Sequence, residues 1–135
     1  MSEVKAVRRE QIPISLVMET YRRAWETRDA NLAAELFTED ATYQVDPFSA
    51  PLEGREAIRH YWEEATRPHR DVQFRWKLAA AQDGVHVIEW QVEFTRADAG
   101  RIELRGVMFI QLAGERIFRF REYWLRRQNS GPSER

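Results

Sequence analysis

The chain contains no cysteine, which removes disulfides, thiolate metal centres and thiol nucleophiles from consideration together. Charge of one sign is missing too: 21 Lys and Arg offset 22 Asp and Glu, leaving a net charge of -1, so no basic footprint for nucleic acid or a membrane surface covers the chain. The arginines near the C-terminus (Arg116, Arg119, Arg121, Arg126, Arg127) are interrupted by Glu115 and Glu122, which disfavours a phosphate-binding stripe. No apolar run approaches a membrane span, and Met1-Ser2-Glu3-Val4-Lys5 carries no apolar leader, so a cytoplasmic location is expected. His-x-x-x-His and Glu-x-x-His spacings, glycine-rich phosphate loops and a Gly-x-Ser-x-Gly elbow are absent, so neither a metal nor a cofactor is expected.

What is present is enough for one core: 43% hydrophobic residues, 12% aromatic, and 32% charged to coat the surface. The 135 residues read as a single domain over 1–135, folded over about 13–127, with a charged arm at 1–12 and a mobile polar tail from Asn129 to Arg135. Helical spacing places Ile14, Val17, Met18, Tyr21, Ala24 and Trp25 on one face from Pro13 onward. Leu32, Ala33, Leu36 and Phe37 make a second short helix. Thr38-Glu39-Asp40 then turns the chain into an extended Thr42-Tyr43-Gln44-Val45, which Pro47 and Pro51 break. A third helix over Gly54 to Ala65 buries Ile58, Tyr61, Trp62 and Ala65, and Arg67-Pro68-His69 stops it.

After Pro68 the period changes from helical to alternating, so an α layer hands over to a β layer and the fold class is α+β. Val72, Phe74, Trp76 and Leu78 alternate with polar residues, as do His86, Ile88, Trp90, Val92 and Phe94. A three-residue loop Gln82-Asp83-Gly84 sets Phe74 against Val92, Trp76 against Trp90, Lys77 against Glu89 and Leu78 against Ile88. A two-residue Asp-Gly turn would set Lys77 against Trp90, which the pattern disfavours. Gly114-Glu115 turns the last hairpin and pairs Ala113 with Arg116, so Phe109 faces Phe120, Val107 faces Glu122 and Arg105 faces Trp124. Pairing Thr95 with Ile102 brings Trp90 to Val107 and Val92 to Arg105. The inner face then carries one glutamate and one arginine among aromatics. The outer face carries Leu104, Met108 and Ile110 beside Tyr123 and Leu125, with Arg119 and Arg121 alongside, and a second copy is the expected cover.

The first helix with Tyr21 and Trp25, the Leu36-Phe37-Thr38-Glu39-Asp40-Ala41 segment, the helix start Gly54-Arg55-Glu56-Ala57-Ile58 and the closing Glu122-Tyr123-Trp124 resemble the nuclear transport factor two-like superfamily, and within it the SnoaL-like (polyketide cyclase-like) proteins, over about residues 14–127. The resemblance implies a cone: three N-terminal helices packed into a strongly curved mixed or antiparallel sheet, a pocket at the open end, and frequent homodimers. It implies little chemistry, because the fold hosts isomerases, dehydratases, cyclases, epoxide hydrolases and non-catalytic binders. Tyr21 and Asp46-Pro47 match the tyrosine and Asp-Pro of the ketosteroid isomerases. Their second aspartate falls at Val107, which argues against steroid isomerisation, and Leu125 stands where many SnoaL-like members have aspartate after Tyr-Trp.

Two functions stay open. In the first, the protein is an enzyme performing cofactor-free isomerisation, dehydration or cyclisation on a small hydrophobic molecule. Asp46 or Glu122 would move the proton, and Tyr21 or Arg105 would stabilise the oxygen anion. In the second it is a non-catalytic pocket or dimerisation module. Trp25, Trp62, Trp76 and Trp90, with Val107, Phe120 and Trp124, would line or fill the pocket. Each catalytic candidate also has a structural role open to it: Glu122 as a partner of Arg105 or of solvent at the pocket mouth, Tyr21 as core, Asp46 as a turn residue before proline. His86 reads as core, and His60 and His69 fall on a polar helix face and in a loop.

Overall fold

Apolar residues three and four apart put one face of α1 (Ser2–Glu26) into the core: Ile14, Val17, Met18, Tyr21, Ala24 and Trp25 are all buried. The computed structural model describes residues 2–129, with side chains described over 13–128; of the mobile tail expected from Asn129 to Arg135, Asn129 is instead a strand residue paired with Arg101 and 130–135 lie outside the described residues. Helix α1 begins at Ser2 rather than at Pro13, which lies inside it. Residues 2–12 of the expected charged arm are therefore helical, because Glu, Lys, Arg, Ala and Gln favour helix without needing an apolar face to announce it. Helix α2 (Ala30–Glu35) is capped by Asp29, whose carboxylate accepts from the Leu32 N–H at 3.0 Å. It ends before Leu36 and Phe37, which were expected in it.

Strand β1 (Phe37–Gln44) absorbs Thr38-Glu39-Asp40 as an irregularity rather than a turn. Between Phe37↔Ile117 and Thr42↔Arg119 the strand advances five residues while its parallel partner β6 (Arg116–Asn129) advances two. Strand β2 (Leu52–Glu53) pairs back on β1, and α3 (Arg55–Thr66) follows. The Arg55 guanidinium donates twice to the Phe37 carbonyl, at 2.9 and 2.7 Å, and ties the start of α3 to β1.

The sheet is completed by β3 (Arg70–Gln82), β4 (Val85–Arg96) and β5 (Gly100–Ala113), in the order β2-β1-β6-β5-β4-β3, with β1 and β6 parallel and the other neighbours antiparallel. It is the mixed sheet expected, behind three helices. Two α1 carboxylates serve β3, which has no strand beyond it: Glu26 accepts from the Phe74 N–H at 3.0 Å and Glu19 from Trp76 Nε1 at 2.8 Å.

The register of β3 on β4 is the one expected, but reached by another route. Gln82 pairs with Val85 across a two-residue Asp83-Gly84 turn, both residues at positive φ, and a one-residue bulge between Leu78 and Ala80 restores Leu78↔Ile88, Trp76↔Trp90 and Phe74↔Val92. Strand β5 departs from expectation. A tight connection pairs Arg96 with Gly100 and Thr95 with Arg101, so Trp90 meets Gly106 and Val92 meets Leu104. A shift of one residue turns every β5 side chain over. Ile102, Leu104, Met108 and Ile110 are buried inside, and Arg105, Val107 and Phe109 face out. The last hairpin keeps Ala113↔Arg116, then bulges between Ile117 and Arg119, so that Ile110 meets Phe120, Met108 meets Glu122 and Gly106 meets Trp124. That bulge offsets the β5 slip and leaves Phe120, Glu122 and Trp124 on the inner side.

Candidate functional site

Residues of β1 and β4, which β6 and β5 separate in the sheet, line the same cavity of about 190 Å³ together with α1 and α3, so the sheet curls around it. The exposed lining residues, Trp124 and Arg126 with half-buried Arg96, mark its mouth. Indoles of Trp25, Trp62 and Trp90 and the Phe94 ring form walls, and Tyr21, Tyr43, Tyr61 and Glu122 supply polar atoms within.

Alternation along β6 after its bulge, with apolar Phe120 on one side and Trp124 on the other, carries Glu122 inward. Only 7% of the residue is exposed, and its Oε1 is buried without a hydrogen-bond partner. Desolvation disfavours the ionised form and pushes the carboxyl up to about 8, so it is mostly protonated at neutral pH. Burial likewise pushes the Tyr21 and Tyr43 phenols well above 10, with the charge of a Glu122 carboxylate adding to the effect, and pushes Tyr61 up to about 12. All three phenols therefore stay protonated and able to donate. Tyr21 packs on Trp62 (5.1 Å between ring centroids) and Phe74 (5.4 Å), and Tyr43 stacks on Phe120 at 4.5 Å.

His69 joins this cavity from the turn after α3. Its Nδ1 accepts from Trp25 Nε1 at 3.1 Å and its ring stacks on Phe94 at 3.7 Å. Burial, helped by the Arg96 and Arg28 charges, lowers its pKa to about 4. The ring is neutral at pH 7 and, with Nδ1 accepting, its proton is on Nε2. Two lining indole N–H groups, those of Trp62 and Trp90, are buried with no acceptor.

Of the residues singled out from the sequence, Tyr21, Glu122, Trp25, Trp62, Trp90 and Trp124 line this one cavity. Others do not. Arg105 is exposed on the convex side and donates to Glu103 at 2.6 Å, so it neither pairs with Glu122 nor reaches the cavity. Val107 lies on the same outer face beside Tyr123, for the same one-residue reason. Asp46 takes its turn role: its carboxylate accepts from the Phe48 N–H at 2.8 Å and Ser49 Oγ at 3.2 Å, and it is not among the lining residues. Trp76 is drawn to Glu19 at the edge of the sheet, and Phe120 packs behind the tyrosines. Tyr43, Tyr61, His69, Phe94, Arg96 and Arg126 were not singled out for the site. Tyr61 and Phe94 were legible as inward-facing residues, whereas no spacing marked His69.

Among the described residues, His60, Glu63 and Glu64 bring possible metal-ligand atoms within 4.8 Å of one another. All three are exposed on α3, where Arg59 reaches Glu63 at 3.6 Å. No helix among the described residues is long and apolar enough to cross a membrane.

Residues 18–120 match the family model of the SnoaL-like domain. No curated protein matches the sequence. Solved structures do. A Catenulispora acidiphila protein with a ketosteroid isomerase-like fold, bound to trimethylamine, shares 20% identity over 79% of this chain and 83% of that one, with a TM-score of 0.70. SalBIII, an epoxide hydrolase/cyclase-like enzyme in pyran ring formation in the polyether salinomycin, shares 24% identity over 86% and 92%, with a TM-score of 0.71. A Novosphingobium aromaticivorans protein provisionally named a scytalone dehydratase shares 15% over 98% and 94%, with a TM-score of 0.75. At such identities the likeness establishes the fold.

Proposed function

The chain belongs to the SnoaL-like domain family, and on that footing we propose that it binds a small hydrophobic molecule in the cavity and catalyses cofactor-independent proton transfer on it, with Glu122 as the group that moves the proton and Tyr21 as an oxygen-stabilising donor. The observation that carries this reading is a buried, unpaired carboxyl surrounded by phenols in an aromatic cavity. A carboxyl protonated at rest can deliver its proton to a substrate oxygen. The carboxylate so formed can then take a proton from carbon, which is the sequence that isomerisation and dehydration share. Fold neighbours named for dehydratase and cyclase chemistry are consistent with this class.

An enolisable ring ketone such as cyclohexanone in D₂O provides the test. Exchange of its α-hydrogens, followed by NMR, is expected to run faster with protein than in buffer. Glu122→Gln should abolish the acceleration and Tyr21→Phe should reduce it about tenfold or more, both without loss of fold. Binding of the ketone without faster exchange would instead favour a non-catalytic pocket, the reading supported by the preponderance of indole and phenyl surface in the lining.

We also propose that the convex sheet face pairs with a second copy. Its members are Val107, Phe109, Tyr123 and Leu125, the last 82% exposed, rather than the expected Leu104, Met108 and Ile110, which the β5 register places inside. Arg121 already covers the Phe109 ring at 4.3 Å. Light scattering at micromolar concentration is expected to give twice the chain mass; a monomer mass would rule the dimer out.

A further inference from the structure

If the cavity holds a ligand, as proposed above, its hydrogen-bonding character narrows what that ligand can be. Trp62 and Trp90 each offer a buried N–H with no acceptor, and an indole nitrogen can only donate. His69, with Nδ1 engaged by Trp25, offers only its Nε2–H. Thr66 has already spent its hydroxyl proton on the Trp62 carbonyl, at 2.7 Å. The Glu122 and tyrosine oxygens that share the cavity leave both indole N–H groups without a partner, so the missing partner is an acceptor oxygen carried by the ligand.

The mouth adds charge. Arg96 and Arg126 both line it. Arg96 is forked onto Asp98 at 3.1 Å, whereas Arg126 forms no hydrogen bond or ion pair with a carboxylate among the described residues. One free planar guanidinium suits a carboxylate, which it can grip with two parallel N–H groups. A dianionic phosphate would call for more, and no lysine among the described residues lines the cavity. A protonated Glu122 does not repel such an anion. Size sets the rest: a cavity of about 150 Å³ suffices for benzene, so about 190 Å³ holds a one-ring body with short substituents.

We propose that the ligand is a single-ring-sized carboxylic acid bearing a second, carbonyl or hydroxyl oxygen, its carboxylate held at the mouth by Arg126 and its other oxygen turned inward toward Glu122 and the unpaired indole N–H groups of Trp62 and Trp90.

Four tryptophans line the cavity, so intrinsic fluorescence of the full chain reports binding. The probes are 4-oxocyclohexanecarboxylate, its carboxamide, and cyclohexanecarboxylate, which lacks the ketone. The oxo-carboxylate is expected to bind about tenfold more tightly than the carboxamide. In Arg126→Gln that preference should fall below about threefold with carboxamide affinity unchanged. Removing the ketone should weaken binding about threefold or more in the parent chain and leave it unaltered in Trp90→Phe. Circular dichroism melts of both variants establish that they remain folded. Equal or tighter binding of the carboxamide, or a preference that survives Arg126→Gln, would overturn the anionic assignment while leaving a neutral-ligand pocket standing. Loss of no affinity on removing the ketone would overturn the inward oxygen. Failure of all three probes to bind folded protein would overturn the pocket reading with it.

Discussion

Glu122→Gln is expected to make the protein more resistant to unfolding as pH rises, while removing the proton on which the proposed reaction depends. The carboxyl has an ordinary value of 4.5, and burial raises it to about 8 in the folded state. Between those values the folded chain holds a proton that the unfolded chain has released, so stability falls as pH rises. The contribution is fully present below the unfolded pKa and is lost as pH passes through about 8. Glutamine has no such titration. The stability difference between variant and parent should therefore shift by about 3 kcal/mol in favour of glutamine between about pH 5.5 and pH 8. Urea melts at a series of pH values measure this directly. Ionisable groups common to both proteins cancel in the difference, whereas a fixed cost of burying the amide displaces the curve without changing its slope. Parallel pH profiles for the two proteins would mean that Glu122 is solvated or paired in solution, and the proposed acid would go with it.

The second large effect is expected at Gly106. This residue lies on the inner face of β5 between Trp90 and Trp124, its partners on either side. A Cβ there would overlap the Tyr123 carbonyl oxygen and stand 2.7 Å from Trp124 Cβ and 2.9 Å from Trp124 Cα. Two of those three atoms are backbone and cannot swing aside as a side-chain tip could. Relief would require β6 to move away from β5, breaking ladder bonds beside the residue that carries Glu122. Gly106→Ala should accordingly cost about 3 kcal/mol or more, beyond the usual penalty of overpacking, and lower the melting temperature by more than about 10 °C. A thermal melt by circular dichroism is sufficient to check it. A change under about 1 kcal/mol would show that the close approach of β5 and β6 at this point is relieved in solution.

The two predictions meet at one row of the sheet, and that row shows how unevenly the site could be read. Glu122 was recognisable because its direction is a property of one strand: Phe120 and Trp124, two residues away on either side, share its face. Tyr21 was recognisable because helical spacing alone groups it with Met18 and Trp25. Arg105 and Val107 were not, because their side depends on how the connection from Arg96 to Gly100 is closed, and a single residue of slip exchanges the faces. Asp46 carried a fold-level likeness to a catalytic aspartate, yet its carboxylate is used within its own turn. His69 stood in a helix-stopping turn, and only the packing of α1 against the opening of β3 brings Trp25 to its Nδ1.

Amino-acid order alone determined the three helices and the four long C-terminal strands in their order, though not the short β2 or the helical start of α1, together with the inward stripe of the first helix, the pairing of β3 with β4, and the inward carboxylate, since each follows from the period of one segment or from a short hairpin. Tertiary structure decided which face of β5 looks inward, where the bulges in β3 and β6 fall, and that Tyr43, Tyr61, His69 and Arg126 share a cavity with Glu122. The physical reason is that a bulge is placed by the curvature a sheet must adopt around its contents. Those contents come from helices distant in the chain, whose packing no single segment encodes.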